Sequence, residues 1–322
     1  MSDVFFQQLS LSAPHVNLEV GSGSHVQQTA QVMSRFEPVV LERKSDLVLV
    51  YGDVNSTVTV TLVYAKLGMR VGYMEAGLRL FDCTMLEEIN RLVTDQIADL
   101  LSTPSEDGNI NLVCERIPAE RVYLVGTVMI VTLVRLLPTA LERWKDERFR
   151  VPGLEVERER YVLATFHRPS NVDDPTMLAE IMVALTDISR QIPLVFPTHP
   201  RTRQRRADLN LQPSTFHFHL FDPAGYLDFP AFQCHAVLVI TDLDGIQEET
   251  SYLGVPCLIV RENTEQPVIV TFGTNQPVGR DMARLRQAAA RIQGSNVKPH
   301  RIPLLWDGKA GERIAERIAS RC

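Results

Sequence analysis

The chain has 322 residues, of which 45% are hydrophobic and 22% charged, and a formal net charge of −6. That length holds two domains and that balance is typical of a folded globular protein. The acidic charge leaves no basic footprint for nucleic acid, and no apolar run reaches the roughly 20 residues of a membrane span. Residues 1–20 hold no signal-peptide core, and the five cysteines are scattered without metal spacing. A cytoplasmic protein is expected, with no metal or nicotinamide site, no nucleic-acid partner and no membrane partner.

In chain order, Met1–Leu9 reads as the helical middle of something, and 17–20 as a short strand. Gly21–His25 is a capped loop and Val26–Glu42 a helix. Asp46–Asp53 is a buried strand ending in a polar pair, and Asn55 and Ser56 are candidate caps for a helix to about Leu67. Val71–Gly77 is the next strand, Thr84–Asp99 a helix, Leu101–Thr103 a strand and Asp107–Cys114 a helix. Val122–Val125 and a helix from Thr127 to Lys145 complete the first half. Residues 146–160 are charged, carry Pro152-Gly153 and read as a linker, so the expected domains are 1–150 and 151–322.

The second half restarts the alternation. Tyr161–Phe166, Leu194–Phe196, Phe216–Leu220, Val237–Ile240 and Pro256–Val260 read as strands. Helices are expected at Met177–Ile192, Leu227–His235, around Ile246–Leu253, at Arg280–Ile292 and at Gly311–Ser320, the last packing back on the N-terminal domain. Strand and helix alternate throughout, so the fold class is α/β: two doubly wound, Rossmann-like parallel sheets with a cleft between them and ligands at the C-terminal strand ends.

Acids stand where such a sheet places its chemistry. Asp53 and Glu75 end buried strands, Glu87 and Glu88 open the helix that follows, and Asp242 ends a strand of the second half. Several acids around one cleft suit proton transfer or hydroxyl recognition. His167-Arg168 follows directly on a strand, and the pair suits a diphosphate, Arg as a forked donor and His as a donor to the leaving oxygen. Val237–Gly254 is a strand, a tight turn with Asp242 and Asp244 as candidate caps followed by Gly245, and a helix that Gly254 stops. It reads either as an ordinary βα unit or as a phosphate-binding turn, with Gln247, Glu248 and Glu249 placed to hold a sugar ring. His199, between two prolines, reads as structural, as do His217, His219 and His235.

In this order the motifs resemble the non-hydrolysing UDP-N-acetylglucosamine 2-epimerases. They are Gly52-Asp53 with Ser56-Thr57, Glu75-Ala76-Gly77-Leu78-Arg79, Glu87-Glu88-Ile89-Asn90-Arg91, His167-Arg168 with Asn171, and Pro197-Thr198-His199-Pro200. Gly225–Phe229, Gly245–Glu249, Gly254-Val255-Pro256, Thr264-Glu265, Gly273-Thr274 and Asp307–Ala310 extend the match over almost the whole chain. The resemblance implies the GT-B architecture, a UDP-sugar substrate, no cofactor and a homodimer. It also implies interconversion of UDP-GlcNAc and UDP-ManNAc by UDP elimination to 2-acetamidoglucal and re-addition. By position it assigns proton transfer and cation stabilisation to Asp53, Glu75 and Glu87, and assistance of the leaving diphosphate to His167. Nucleotide-sugar contacts fall to Arg91, Arg168, Phe229, Asp242, Gly245 and Glu249, the last on the ribose.

The chain also departs from that pattern. The family's opening strand, its turn with a substrate-binding Arg, a helix and a second strand precede Met1, so strand 46–51 is expected to have an unpaired edge. Leu243 and Asp244 replace Ser and Gly in the turn, and Gln266 replaces Arg. A carboxylate set about 4 Å from phosphate would cost on the order of 4 kcal/mol. Thr127, Val131 and Leu86 replace Asn, Asp and Pro. A truncated epimerase with impaired activity is expected. The alternatives are an inactive nucleotide-sugar binder, or a hydrolysing epimerase or glycosyltransferase of the same fold.

Overall fold

A computed structural model of the protein describes residues 9, 11–145, 160–213, 215, 217–223, 225–293 and 301–321. The expected linker and domain boundary near 150, the helical reading of residues 1–8 and the strand start at Phe216 lie outside these residues. The chain divides into two compact units, Leu11–Val131 with Leu304–Cys322, and a second built on Thr132–Pro303. Among the described residues no helix is long and apolar enough to cross a membrane.

In the first unit, α1 (His25–Arg43) is followed by β1 (Leu47–Tyr51), α2 (Asn55–Lys66), β2 (Arg70–Met74) and α3 (Leu86–Ile97). Then come β3 (Leu100–Thr103), α4 (Glu106–Cys114) and β4 (Val122–Leu124), and α5 (Val128–Trp144) runs across the division between units. The strands pair in parallel in the order β1-β2-β3-β4. Val71, Tyr73 and Leu101 carry the middle of the sheet into a core closed by Val40, Val63, Tyr64 and Leu112. A reciprocal box between Ser24 and Gln27 starts α1 and satisfies two of its free amides.

The second unit contains β5 (Val162–Thr165), α6 (Pro169–Val172), α7 (Pro175–Ser189), β6 (Leu194–Pro197), α8 (Pro200–Asp208), β7 (Phe218–Phe221) and α9 (Phe229–His235). It continues with β8 (Leu238–Thr241), α10 (Asp244–Leu253), β9 (Cys257–Ile259), α11 (Pro267–Thr271), β10 (Asn275–Pro277) and α12 (Met282–Gln293). All six strands are parallel, in the order β10-β9-β8-β5-β6-β7. Progress from β5 runs one way through β6 and β7, and from β8 the other way through β9 and β10. The neighbouring pair β5 and β8 is therefore the switch point at which an open parallel sheet leaves a crevice above its carboxyl ends. Every residue of β5, β6, β8 and β9 is buried, as strands covered on both faces require.

α13 (Ala310–Ala319) belongs to the first unit. Its approach is fixed there by the Trp306 indole donating to Pro104 O at 2.9 Å and by Arg313 donating to Val125 O at 2.9 Å.

Three local expectations are corrected. Residues 17–20 form no strand: Glu19 takes a positive φ, its amide donates to Asn17 Oδ1, and Arg35 collects the carbonyls of Leu18 and Glu19. Asn55 and Ser56 do not cap α2. The cap residue is Val54, without a side-chain bond, and the Asn55 amide turns instead to His25 and Gln28 at 3.0 Å. Neither Asp242 nor Asp244 caps α10, whose cap is Leu243. Gly254, read as the stop, does end that helix in the left-handed conformation. β1 pairs only with β2 and is the edge of its described sheet, leaving Leu49 44% exposed.

Gly77 closes the turn after β2 with φ +78°, and a Cβ there would lie 2.4 Å from Gly108 O. Gly77→Ala combines left-handed strain with an overlap against backbone that cannot swing away, and is expected to cost about 2–4 kcal/mol. Denaturant unfolding of the variant checks this; a loss below about 0.5 kcal/mol would show that the turn opens freely.

Candidate active site

In the first unit the acids gather at the carboxyl ends of β1 and β2. Asp53, two residues past β1, accepts from the buried Arg91 of α3 in a short ion pair. Asn90 donates to the Asp53 carbonyl at 2.8 Å, so consecutive residues of one helix hold both the side chain and the backbone of this acid. Glu75 follows β2 with φ +70°, a conformation that costs a residue with a Cβ about 1–2 kcal/mol and turns the side chain out of the strand direction. The Tyr51 hydroxyl donates to it at 2.6 Å. Glu87 is exposed in the first turn of α3. Its neighbour Glu88 is buried and accepts from the Leu80 and Phe81 amides at 3.0 Å. Glu88 thus fastens the loop before the helix and leaves Glu87 at its mouth.

Asp53 and Glu87 line one hollow of about 390 Å³ with His25, Gln28, Asn55, Ser56 and Asn90. Glu75 and Arg91 are not among its lining residues.

Behind this cluster lies a second buried network. Asp95 accepts from the Gly77 amide at 3.2 Å and pairs with Arg79 at 2.6 Å, and Arg79 also forks onto Glu115 at 2.7 and 2.6 Å. Burial lifts the Asp95 carboxyl to about 6, against the pull of Arg79. The Glu75–Arg79 motif is thereby anchored from its far end, with Arg79 in a structural role. Tyr73 sits in the same sheet with its hydroxyl buried and without a hydrogen-bond partner. Burial first and then Asp95 push that phenol well up, opposed by Arg91.

In the second unit the site is built on the switch point. Asp242, just past β8, is fully buried. Its two oxygens accept from the His167 amide at 3.0 Å, the Arg168 amide at 3.1 Å and Asn171 Nδ2 at 2.9 Å. Burial raises its carboxyl and these bonds pull it back. Asp242, expected as a ligand contact, ties the loop after β5 to the end of β8 through these bonds. His167 lies edge-on to His199, ring centres 4.4 Å apart, and the His199 ring caps α8 through the Arg201 amide at 3.3 Å. Burial and then His167 lower the His199 imidazole. The Arg168 guanidinium reaches Asp244 at 2.6 Å, and Arg261 makes a short pair with the other oxygen of the same carboxylate. Asp244 is therefore an ion-paired side chain at the first position of α10.

Gly245 follows Asp244 in that first turn, and Phe229 opens α9 half-buried. Glu249 is buried and accepts from the Tyr226 hydroxyl at 2.9 Å and from the Gln233 amide. Sequence reasoning missed His25, Gln28, Tyr73 and Arg261. Only the Ser24–Gln27 box, which sets the register of α1, offered a signal for the first two.

The family model for UDP-N-acetylglucosamine 2-epimerase matches residues 1–319. The chain belongs to the UDP-N-acetylglucosamine 2-epimerase family. A Methanococcus maripaludis protein named UDP-N-acetylglucosamine 2-epimerase is 35% identical, over 99% of this chain and 87% of its own length. A Pseudomonas aeruginosa protein named UDP-2,3-diacetamido-2,3-dideoxy-D-glucuronate 2-epimerase is 36% identical over the same shares. A crystal structure of the Methanocaldococcus jannaschii UDP-GlcNAc 2-epimerase in complex with UDP-GlcNAc and UDP superposes with a TM-score of 0.87. It is 36% identical and covers 99% of this chain and 88% of that one. The two Rossmann-like parallel-sheet units are those of the GT-B-like fold shared with these epimerases.

Within this epimerase family frame, Gln266 turns its amide to Glu248 at 2.6 Å, and its carbonyl oxygen is buried without a partner. Glu249, like Asp242, is a buried acid whose hydrogen bonds come from neutral donors, and it gives a test. Burial raises its carboxyl above the ordinary range and the bonds from Gln233 and Tyr226 oppose the rise. A raised carboxyl favours the folded state when protonated, below its unfolded pKa near ~4.3, and that stability is lost as pH rises through the folded value. Glu249→Gln, neutral at every pH, is expected to melt no lower than the parent at pH 7.5, with the parent gaining on it as pH falls toward 4.5. A variant several degrees less stable at pH 7.5 would show that the ionised carboxylate is needed by the fold.

Proposed function

We propose that the chain inverts C2 of a UDP-linked 2-acetamido sugar, acting as a homodimer in the cytoplasm, with UDP-GlcNAc and UDP-ManNAc as the substrate pair. The observation that carries the reading is the shared hollow of Asp53 and Glu87, with Arg91 and Asn90 fixing Asp53 in place. The C2 proton of the sugar is barely acidic, so C1–O cleavage must run ahead of its removal. The C1–O bond breaks with its electron pair leaving on UDP, a carboxylate takes the C2 proton, and 2-acetamidoglucal forms. Re-addition returns UDP oxygen to C1 and delivers a proton to the opposite face of C2.

Asp53, Glu75 and Glu87 supply the proton transfers and shield the positive charge growing at C1. His167 donates to the departing diphosphate, Arg168 and the first turn of α10 with Gly245 hold it, Phe229 covers the base and Glu249 accepts from the ribose. The side-chain exchanges at Leu243, Asp244 and Gln266 lower turnover relative to family members that carry Ser, Gly and Arg there.

The kinship to the Pseudomonas aeruginosa enzyme favours a second reading, in which the sugar is a 2,3-diacetamido uronate handled by the same C2 chemistry. Proton NMR in deuterated water with each UDP-sugar separates the two. The accepted sugar is expected to exchange its C2 hydrogen for solvent deuterium and to give its C2 epimer, while free UDP with free sugar would mark hydrolysis instead. Asp53→Asn and Glu87→Gln are each expected to slow kcat about 10²–10⁴-fold without unfolding the chain. Rates within threefold of the parent in both variants would remove these acids from the chemistry.

A further inference from the structure

The first turn of α10 already holds an anion, and it is the protein's own. Asp244 stands at the first helical position, where amides have no partner within the helix, and the cap residue Leu243 has no side chain to satisfy them. Around its carboxylate the two guanidinium groups approach from opposite elements. Arg168 comes from the loop after β5, with its Nη2 at 2.6 Å from Oδ2, and Arg261 from the end of β9, with its Nη1 on Oδ1. Gln247 closes the group at 3.5 Å.

The arrangement holds more donors than Asp244 uses. Arg261 has 5% of its side chain exposed, and its Nη2 is buried without a hydrogen-bond partner. Glu265 stands 3.9 Å from that Nη2 and 3.9 Å from Arg168 Nη2. A buried guanidinium with a spare donor, beside a second arginine at the mouth of a helix, is a site for a ligand with more oxygens than one carboxylate has.

We infer that Arg168, Arg261 and the first turn of α10 form the anion seat of this unit, and that the Asp244 carboxylate occupies the seat and sets the affinity for a diphosphate. This rests on the nucleotide-sugar reading given above and deepens it. A diphosphate entering the seat must take both arginines from Asp244 and swing that side chain, which is 35% exposed, toward solvent. The exchange of partners makes the affinity for UDP lower than the donor set alone would give, and makes Asp244 a specificity-determining residue. An intramolecular carboxylate penalises a weakly charged anion, with which it competes on equal terms, more than a polyanion that forks both guanidinium groups.

Calorimetric titration of the full chain with UDP and, separately, with inorganic pyrophosphate tests the inference. It is run on the parent, Asp244→Asn and Asp244→Gly, each first shown by circular dichroism to melt as a folded protein. Both variants are expected to bind both ligands about tenfold more tightly than the parent. Arg261→Gln in the Asp244→Asn background is expected to take the gain away, which a variant that merely loosened the turn would not do. Unchanged or weaker affinity in a folded Asp244→Asn protein, with UDP still bound by the parent, would overturn the inference and leave the nucleotide-sugar reading standing. A gain for pyrophosphate with no UDP bound by any variant would keep the anion seat and remove the nucleotide. Failure of both ligands with all variants would overturn both.

Discussion

The buried carboxylate of Asp242 is the tie on which the second unit's site depends. It sits at the switch between β8 and β5, and in one group of bonds it fixes the His167 amide, the Arg168 amide and the Asn171 side chain. Asn171 in turn donates to Val260 O at 3.0 Å, which draws the end of β9 into the same frame. A carboxylate that accepts only from neutral donors repays part of its desolvation through each of them, and loses that compensation if any one moves. The loop carrying His167 and Arg168 is for this reason tied to the sheet at three points. The first unit also fastens backbone with buried acids, there beside arginines. Glu88 binds the amides of Leu80 and Phe81, and Asp95 binds the amide of Gly77. In each case a buried acid holds backbone and so fixes where a neighbouring acid or cation stands.

The reaction proposed above gives a purpose to so many buried charges. Breaking a sugar–phosphate bond before the adjacent carbon is deprotonated demands groups whose positions do not relax as charge moves. Arg91 and Asn90 fix Asp53 from a single helix turn, and Glu75 is held in a left-handed backbone conformation that the Tyr51 hydroxyl supports. The opposite arrangement is found at Asp244, where an acid is placed at a helix mouth and two arginines close on it.

Much of this was legible in the sequence, and for physical reasons. Short apolar runs such as Val237–Ile240, bounded by turn residues, read as strands covered on both faces, and their alternation with helical spacing points to a parallel sheet. Acids and His-Arg pairs placed directly after those runs must stand at carboxyl ends. Which acid faces outward was not legible, because Glu87 and Glu88 differ by one residue on a helix and only the Leu80–Phe81 loop decides between them. Nor was the part played by Asp242, whose backbone partners lie some 75 residues away in the chain. The partners of Asp244 were not legible for a related cause. Read as a bare charge beside phosphate, it pairs with Arg168 and Arg261, and Arg261 drew no notice because nothing in its neighbourhood marks it out. Helices α6, α8 and α11 each begin at a proline and are short, so periodicity had too few residues to reveal them.

The central claim is that the switch point held by Asp242 is where the diphosphate of a UDP-sugar is received. Amide hydrogen exchange of the full chain with and without saturating UDP measures this directly. The account predicts slowed exchange concentrated in peptides covering residues 166–171 and 243–249, with the core of β5 and β8 unchanged. Tight UDP binding that leaves both peptides exchanging as in the free chain would contradict it.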